Sequence, residues 1–333
     1  MEKRLQISSD NLTLYRVVAM AMVVLYHCTC YFAHPWWPFG EGPYNPILKI
    51  ITTFMGGIHL PVFVFISGYL YWMLEREGHY KNIIKFYKNK VLRLMVPYFF
   101  VGAVVLLIFD KIYSIKSFLY GICHLWFLLM LWIIFLLAPF FSFLFKHIKN
   151  DKFLIMFVMS CFFLYPVFSK IGLLELKNVF YFFPFFLLGY LIQRIKKENL
   201  YRNRVFWFSF VGSFVILFIL CPTSLFIEKV IREYASFIVL IIVSIIPNFG
   251  IPPKIKGFIM NFSKNSMGIY LIHQIIICCV ITDPSIKMRL DSSNSYLVVL
   301  VLFVGSLVSS WMLASLLNRF NITRFVIGSK MNV

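Results

Sequence analysis

Charge is what this sequence has least of: only 14% of its 333 residues are Asp, Glu, Lys or Arg, and only 13 of those are acidic. An ordinary soluble domain carries about 25% charged and 45–50% apolar residues. Here 61% are hydrophobic, 19% are aromatic and the mean hydropathy is +0.84. That balance excludes a soluble enzyme fold and makes the bilayer the expected solvent. Carboxylates are almost missing from the apolar stretches, so there is little to couple proton or sodium movement. Paired C-x-x-C units and metal-ligand spacings are also lacking. The cysteines Cys28, Cys30, Cys123, Cys161, Cys221, Cys278 and Cys279 sit in or beside apolar runs and read as small membrane-helix residues, with no metal site expected. Nor is there a low-complexity tract, a repeat or a long polar segment. A single membrane domain over 1–333, with no soluble C-terminal domain, is the expectation. Lys3 and Arg4 ahead of an apolar stretch resemble a secretory leader, but the stretch is about twenty residues long and lacks a small-residue cleavage site. It reads as a retained first span.

What is present is a series of apolar runs, at about 12–33, 47–74, 91–113, 120–145, 153–169, 178–193, 205–221, 234–251, 267–282 and 296–317. Each is long enough, or nearly so, to cross about 30 Å of hydrocarbon, and they are continuous instead of alternating. The expected fold is an all-α integral membrane bundle of about ten transmembrane helices. The runs at 178–193 and 267–282 are short enough to tilt poorly or to lie partly re-entrant. With both termini in the cytoplasm, the inner segments hold 21 basic residues and the outer loops 8. The positive-inside rule is satisfied. The formal charge of +19 is then mostly topology and contact with anionic membrane lipids, and no nucleic-acid partner is expected.

A mid-membrane arginine costs roughly 2.5–3.5 kcal/mol on insertion scales, so each such charge asks for a reason. Arg16 and His27 lie eleven residues apart in the first helix, about 20° in angle and about 16 Å in rise, and so share one face. Arg16 alone could snorkel to the interface and His27 alone could bond a neighbouring helix; together they suggest a polar path. In the second helix, Gly56, Gly57 and Pro61 weaken the segment His59-Leu60-Pro61, while Ser67-Gly68 permits close backbone approach, which reads as a packing seam. Lys90 and Arg93 stand one turn apart ahead of a kink expected at Pro97, and with Arg16 they would form an inner anion site. His124 and Trp126 open the fourth helix within an aromatic belt. His273 is a further buried imidazole, in Tyr270-Leu271-Ile272-His273.

Taken in this order, these segments resemble the integral-membrane acyltransferase 3 family, the bacterial O-acyltransferases of surface polysaccharides. The resemblance runs along essentially the whole chain. Its most specific element is the Arg-x10-His signature, matched by Arg16 and His27; Ser67-Gly68-Tyr69, the basic pair before Pro97-Tyr98, His124-Leu125-Trp126-Phe127 and Tyr270 to His273 follow in register. Lys90 departs from it, standing where the family often has arginine, a point charge in place of a bidentate fork. The resemblance implies a multi-pass protein of the bacterial inner membrane that moves an acyl group, most simply acetyl, from cytoplasmic acyl-CoA (acetyl-CoA) to a hydroxyl of a polysaccharide or an undecaprenyl-linked glycan. O-antigen and exopolysaccharide are the favoured acceptors. No permanently bound cofactor is implied. His27 would act as general base or transient acyl carrier, Arg16, Arg93 and Lys90 would hold the donor, and Arg76, Lys81, Lys85 and Lys88 would feed that inner mouth. Ser67, His124, Trp126 and His273 are possible supporting residues. By analogy with hydrolytic triads a carboxylate should orient His27, with Glu41, Asp110 and Asp283 as outer-side candidates.

A transporter or flippase of lipid-linked sugars is the alternative from another class. It too would have about ten helices and sugar-stacking tryptophans such as Trp36, Trp37 and Trp126. Against it stand the missing mid-membrane carboxylates and the absence of paired broken helices in two halves. A scaffold in a polysaccharide synthase needs no aligned Arg and His.

Overall fold

The structure is a computed structural model that describes residues 7–34, 39–148, 150–161, 164–168, 170–194, 236, 240 and 250–329. Among these there is no strand, and seven helices are long and apolar enough to cross a bilayer: Ser9–Ala33, Pro46–Arg76, Ile83–Ile108, Ile115–His147, Leu173–Ile192, Pro253–Thr282 and Ser295–Leu317. The chain is a multi-pass, all-helical membrane protein. The runs expected at 205–221 and over most of 234–251, together with Lys3, Arg4, Trp36, Trp37 and Cys221, lie outside the described residues. The run expected at 153–169 is two short helices, Asp151–Ser160 and Leu164–Phe168, in place of one span.

Helix starts follow from side-chain caps. The Ser8 hydroxyl accepts the Asn11 N–H at 3.1 Å ahead of α1 (Ser9–Ala33). Asn45 accepts the N–H groups of Ile47 and Leu48 at 3.0 and 3.1 Å ahead of α2 (Pro46–Arg76), whose first residue is proline. Asn82 caps α3 (Ile83–Lys90) through Lys85 N–H at 2.9 Å. In each case the side chain satisfies a donor that the first helical turn leaves free.

The kink expected at Pro97 is displaced one turn towards the N-terminus. Between α3 and α4 (Val96–Ile108) the chain makes a π-helical turn, Val91–Met95, which carries Arg93. Pro97 has no N–H to give the carbonyl of Arg93, and the helix relieves the mismatch by widening. That freed carbonyl is closely approached by Gly328, where a Cβ would stand 2.4 Å from it. Two short elements, α5 (Ser117–Tyr120) and a 3-10 turn at Cys123–Leu125, then lead into α6 (Trp126–His147). After α7 (Asp151–Ser160) and α8 (Leu164–Phe168) comes α9 (Leu176–Arg194).

The late helix corrects the expectation of a short span over 267–282. It is α10 (Pro253–Thr282), 30 residues long, and it absorbs the stretch 252–266 that reads as a cytoplasmic loop. Its polar residues find partners on neighbouring helices: Lys256 pairs with Asp10 at 3.1 Å, and Asn265 accepts from Asn318 at 2.7 Å. Asn261 accepts the indole N–H of Trp311 at 3.1 Å. The chain continues through α11 (Pro284–Ser292), α12 (Ser295–Leu317) and α13 (Asn321–Val326).

Contacts at the two ends fix the directions of the helices. At the end where α1 begins, called the near end, Lys256 meets Asp10 and Lys146 pairs with Glu75. At the far end the Tyr31 hydroxyl donates to Asp291 at 2.6 Å and Asn45 donates to Ser295 at 2.9 Å. Helices α1 and α10 therefore run parallel, with α2 and α12 antiparallel to them. Close crossings are set by small residues: a Cβ at Gly68 of α2 would lie 2.0 Å from the Phe186 carbonyl oxygen of α9, and one at Gly268 would lie 2.5 Å from Ala314 Cβ.

Candidate active site

The parallel pair α1 and α10 carries a ladder of two polar rungs. Near its start the Arg16 guanidinium donates to the Ser263 hydroxyl at 3.4 Å. Eleven residues on in α1 and ten on in α10, His27 Nδ1 and His273 Nε2 are 2.9 Å apart. Equal rise per residue in two parallel helices makes the second rung follow from the first, about 15–16 Å further along.

Hydrogen-bond directions assign the tautomers. His273, fully buried, has Nδ1 at 2.9 Å from the Ile269 carbonyl, which can only accept. Nδ1 therefore carries the proton, and in the neutral ring Nε2 offers a lone pair. His27 must then donate from Nδ1, which leaves its own Nε2 as the basic nitrogen. His59 is locked the same way, its Nδ1 donating to the Met55 carbonyl one turn back. His124 donates from Nε2 to the Leu271 carbonyl at 3.2 Å, and its Nδ1 faces the Cys123 thiol at 3.4 Å. These four imidazoles are neighbours: the His27 and His273 rings lie 5.0 Å apart, those of His124 and His273 5.4 Å, and Tyr26 sits between His27, which it meets edge-on at 5.3 Å, and His59, at a tilted 4.8 Å. Among the described residues no three His, Cys, Asp or Glu converge as a metal site.

His27, His59 and His124 line a cavity of about 680 Å³ in the far half, together with Tyr26, Trp126 and Gln274. A second cavity of about 620 Å³ lies at the near end and is lined by Ser8, Ser9, Thr13, Arg16, Leu70 and Met73. Arg16 thus opens on one cavity and His27 on the other, from one face of one helix, as their spacing predicts. Arg93, exposed on the π turn, is close enough to repel both Arg16 and Lys90. The Lys90 ammonium sits 3.4 Å over the Phe135 ring centroid, a cation–π contact that holds it against the bundle. Ser67 lines neither cavity.

The outer-side carboxylates named from the sequence do not orient His27. Glu41 is 3.0 Å from His34 across the loop after α1. Asp283 caps α11, and hydrogen bonds from Ser285 and Ile286 hold its carboxyl below the usual range. Asp110 follows the end of α4 and lines neither cavity. Among the described residues the side chain that orients His27 is another imidazole. Residues not singled out from the sequence also contribute: His59 read as part of a packing seam, and Cys123 as a small apolar residue. Cys123 lines the far cavity on a backbone with φ +50°.

The comparison with known families matches residues 9–315, from the first turn of α1 to the last turn of α12, to the profile described as an acyltransferase domain. The chain belongs to the acyltransferase 3 family. No curated protein and no solved structure matches it. Membership sets the transporter reading aside and makes the chain a membrane acyltransferase. Acyl transfer needs a base for the attacking group and a binding region for an activated donor. The basic Nε2 of His27, facing a polar cavity, has the geometry for the first, and the near-end cavity with Arg16 has the charge for the second.

Proposed function

We propose that this acyltransferase moves an acetyl group from cytoplasmic acetyl-CoA to a hydroxyl of a cell-surface polysaccharide or its lipid-linked precursor, with O-antigen or exopolysaccharide units as the acceptor. The observation that carries the reading is the His27–His273 pair at 2.9 Å, with His27 lining the far cavity and Arg16 opening on the near one. The excess of basic residues in near-end segments supports a cytoplasmic near end, where acyl-CoA is made, and the family's surface-polysaccharide acceptors favour the bacterial inner membrane. Arg16 and Arg93 hold donor phosphates there, and Lys90 adds positive potential from its place on Phe135. In the transfer step His27 Nε2 takes the acceptor hydroxyl proton as the oxygen attacks the thioester carbonyl. The C–S bond breaks, and the departing thiolate takes the proton back from His27, leaving ester and free CoA. His124 and Trp126 shape the acceptor side.

Mass spectrometry of the host's surface polysaccharide tests this. Deletion of the gene should remove one acetyl mass per repeat unit, and the wild-type gene should restore it. An unchanged acetyl pattern on deletion would overturn the reading, and accumulated intracellular repeat units would point to translocation of lipid-linked sugar.

A further inference from the structure

The far cavity is also lined by the start of α9, through Asn178, Tyr181 and Phe182, and the backbone just ahead of that helix is strained. Leu174 and Glu175, neither of them glycine, take successive positive φ values of 53° and 57°. Such residues are strained and persist only where surrounding structure holds them. What the strain achieves is to bring the Glu175 carboxylate, 5% exposed, under the cavity wall. Gly121 makes room for it: with φ +82°, a Cβ there would stand 2.5 Å from Glu175 Oε1 and 2.4 Å from Trp126 Cβ. Lys177 and Tyr98 are the other titratable groups that feel this carboxylate.

Glu175 Oε2 accepts from Asn178 Nδ2 at 2.5 Å. With its Nδ2 committed to Glu175, the Asn178 amide turns its Oδ1 away from that carboxyl, and no hydrogen bond from a described residue reaches the oxygen. Asn178 lines the cavity beside Trp126, Tyr165 and Tyr181. On the histidine side, Gln274, 2% exposed, also lines it, and its Oε1 is buried without a partner. Two amide oxygens therefore await donors, with an indole wall between α6 and α9. A ligand with several hydroxyl donors and one apolar face, such as a pyranoside, meets all three demands.

We propose that Glu175 and Asn178 are the acceptor-reading pair of the far cavity: Glu175 fixes the Asn178 amide so that its oxygen takes a hydroxyl of a pyranoside lying on Trp126. This rests on the sugar acceptor proposed above. Glu175 is a positioning residue and Asn178 the group that touches substrate.

The test uses the full chain in detergent with acetyl-CoA as donor and the methyl glycosides of glucose, galactose, mannose and rhamnose as acceptors. Asn178→Ala and Glu175→Ala should raise KM for the best glycoside about tenfold, the effect of one hydrogen bond, and flatten the order of preference among the four. KM for acetyl-CoA should stay within about twofold, since the pair does not meet the donor. Glu175→Gln retains an oxygen that accepts from Asn178 and should restore the wild-type order. A helix cap alone would change the yield of folded protein and leave that order untouched. Wild-type transfer with glycoside KM and preference unchanged in Asn178→Ala overturns the pair alone. Wild type that acetylates none of the four overturns the sugar acceptor and the pair together.

Discussion

His27→Ala is expected to lower kcat/KM for acyl transfer by about 10³-fold, the middle of the range for a lost general base. The protein remains inserted, because the substitution removes a ring that faces a cavity. His273→Ala is expected to be milder, about tenfold to a hundredfold, the size of one buried hydrogen bond at about 1–3 kcal/mol. Without His273 Nε2 as acceptor, His27 loses the side chain that holds its ring, and its basic nitrogen is set less firmly for the transfer. The double variant should be no slower than His27→Ala alone, because an orienting group has nothing left to orient; non-additivity of this kind marks residues that act as a unit. His273→Gln offers an amide oxygen in place of Nε2 and should recover part of the loss. The measurement is acetyl transfer from labelled acetyl-CoA by equal amounts of membrane-inserted protein. Wild-type rates in His27→Ala would remove the base from the mechanism, and additive losses would make His273 an independent contributor.

The rung proposed to carry catalysis is half legible in the sequence. Arg16 and His27 could be paired because helical geometry relates residues eleven apart without any tertiary knowledge. His273 could be seen as a buried imidazole, but 246 positions separate it from His27, and only the parallel packing of α1 on α10 joins them. The analogy with hydrolytic triads points to Glu41, Asp110 and Asp283, the exposed outer acids, and none of them orients His27. The acid at the cavity wall is Glu175, whose place depends on two left-handed residues that no residue type in Leu173-Leu174-Glu175 announces. Hydropathy located most spans but undercounted α10, because Lys254, Lys256, Asn261, Lys264 and Asn265 read as a loop. Polar partners on α1 and α12 make several of those residues compatible with a helix, and a window over one segment cannot contain its partners.

Gly68→Ala should unfold or misassemble the bundle before it affects chemistry. The added Cβ would stand 2.0 Å from the Phe186 carbonyl oxygen and 2.8 Å from its carbon, and both are backbone atoms. A side chain in the way could rotate, but here the helices themselves must part. Gly189 meets the same limit from the other side, its Cβ position lying 2.2 Å from Tyr69 N and 2.5 Å from the Gly68 carbonyl carbon. Overpacking of a core typically costs about 1–3 kcal/mol, and a backbone clash belongs at or above the top of that range. The damage propagates because this crossing positions both cavities. Next to Gly68, the Tyr69 hydroxyl accepts the Ile7 N–H at 2.9 Å, beside the near-end cavity. Further along the same two helices, His59 of α2 and Asn178 of α9 both line the far one. Gly305→Ala is the matched control. It lies exposed on α12 with no described atom within 4 Å of its Cβ position, so alanine should be neutral or stabilising by about 0.5–1 kcal/mol through helix propensity. Thermal unfolding in detergent, followed by size-exclusion chromatography, should show Gly68→Ala and Gly189→Ala aggregating well below the wild-type midpoint and Gly305→Ala at or above it. A wild-type midpoint for Gly68→Ala would mean that α2 and α9 separate by a tenth of a nanometre or more without loss, and that close backbone contact is not what joins them.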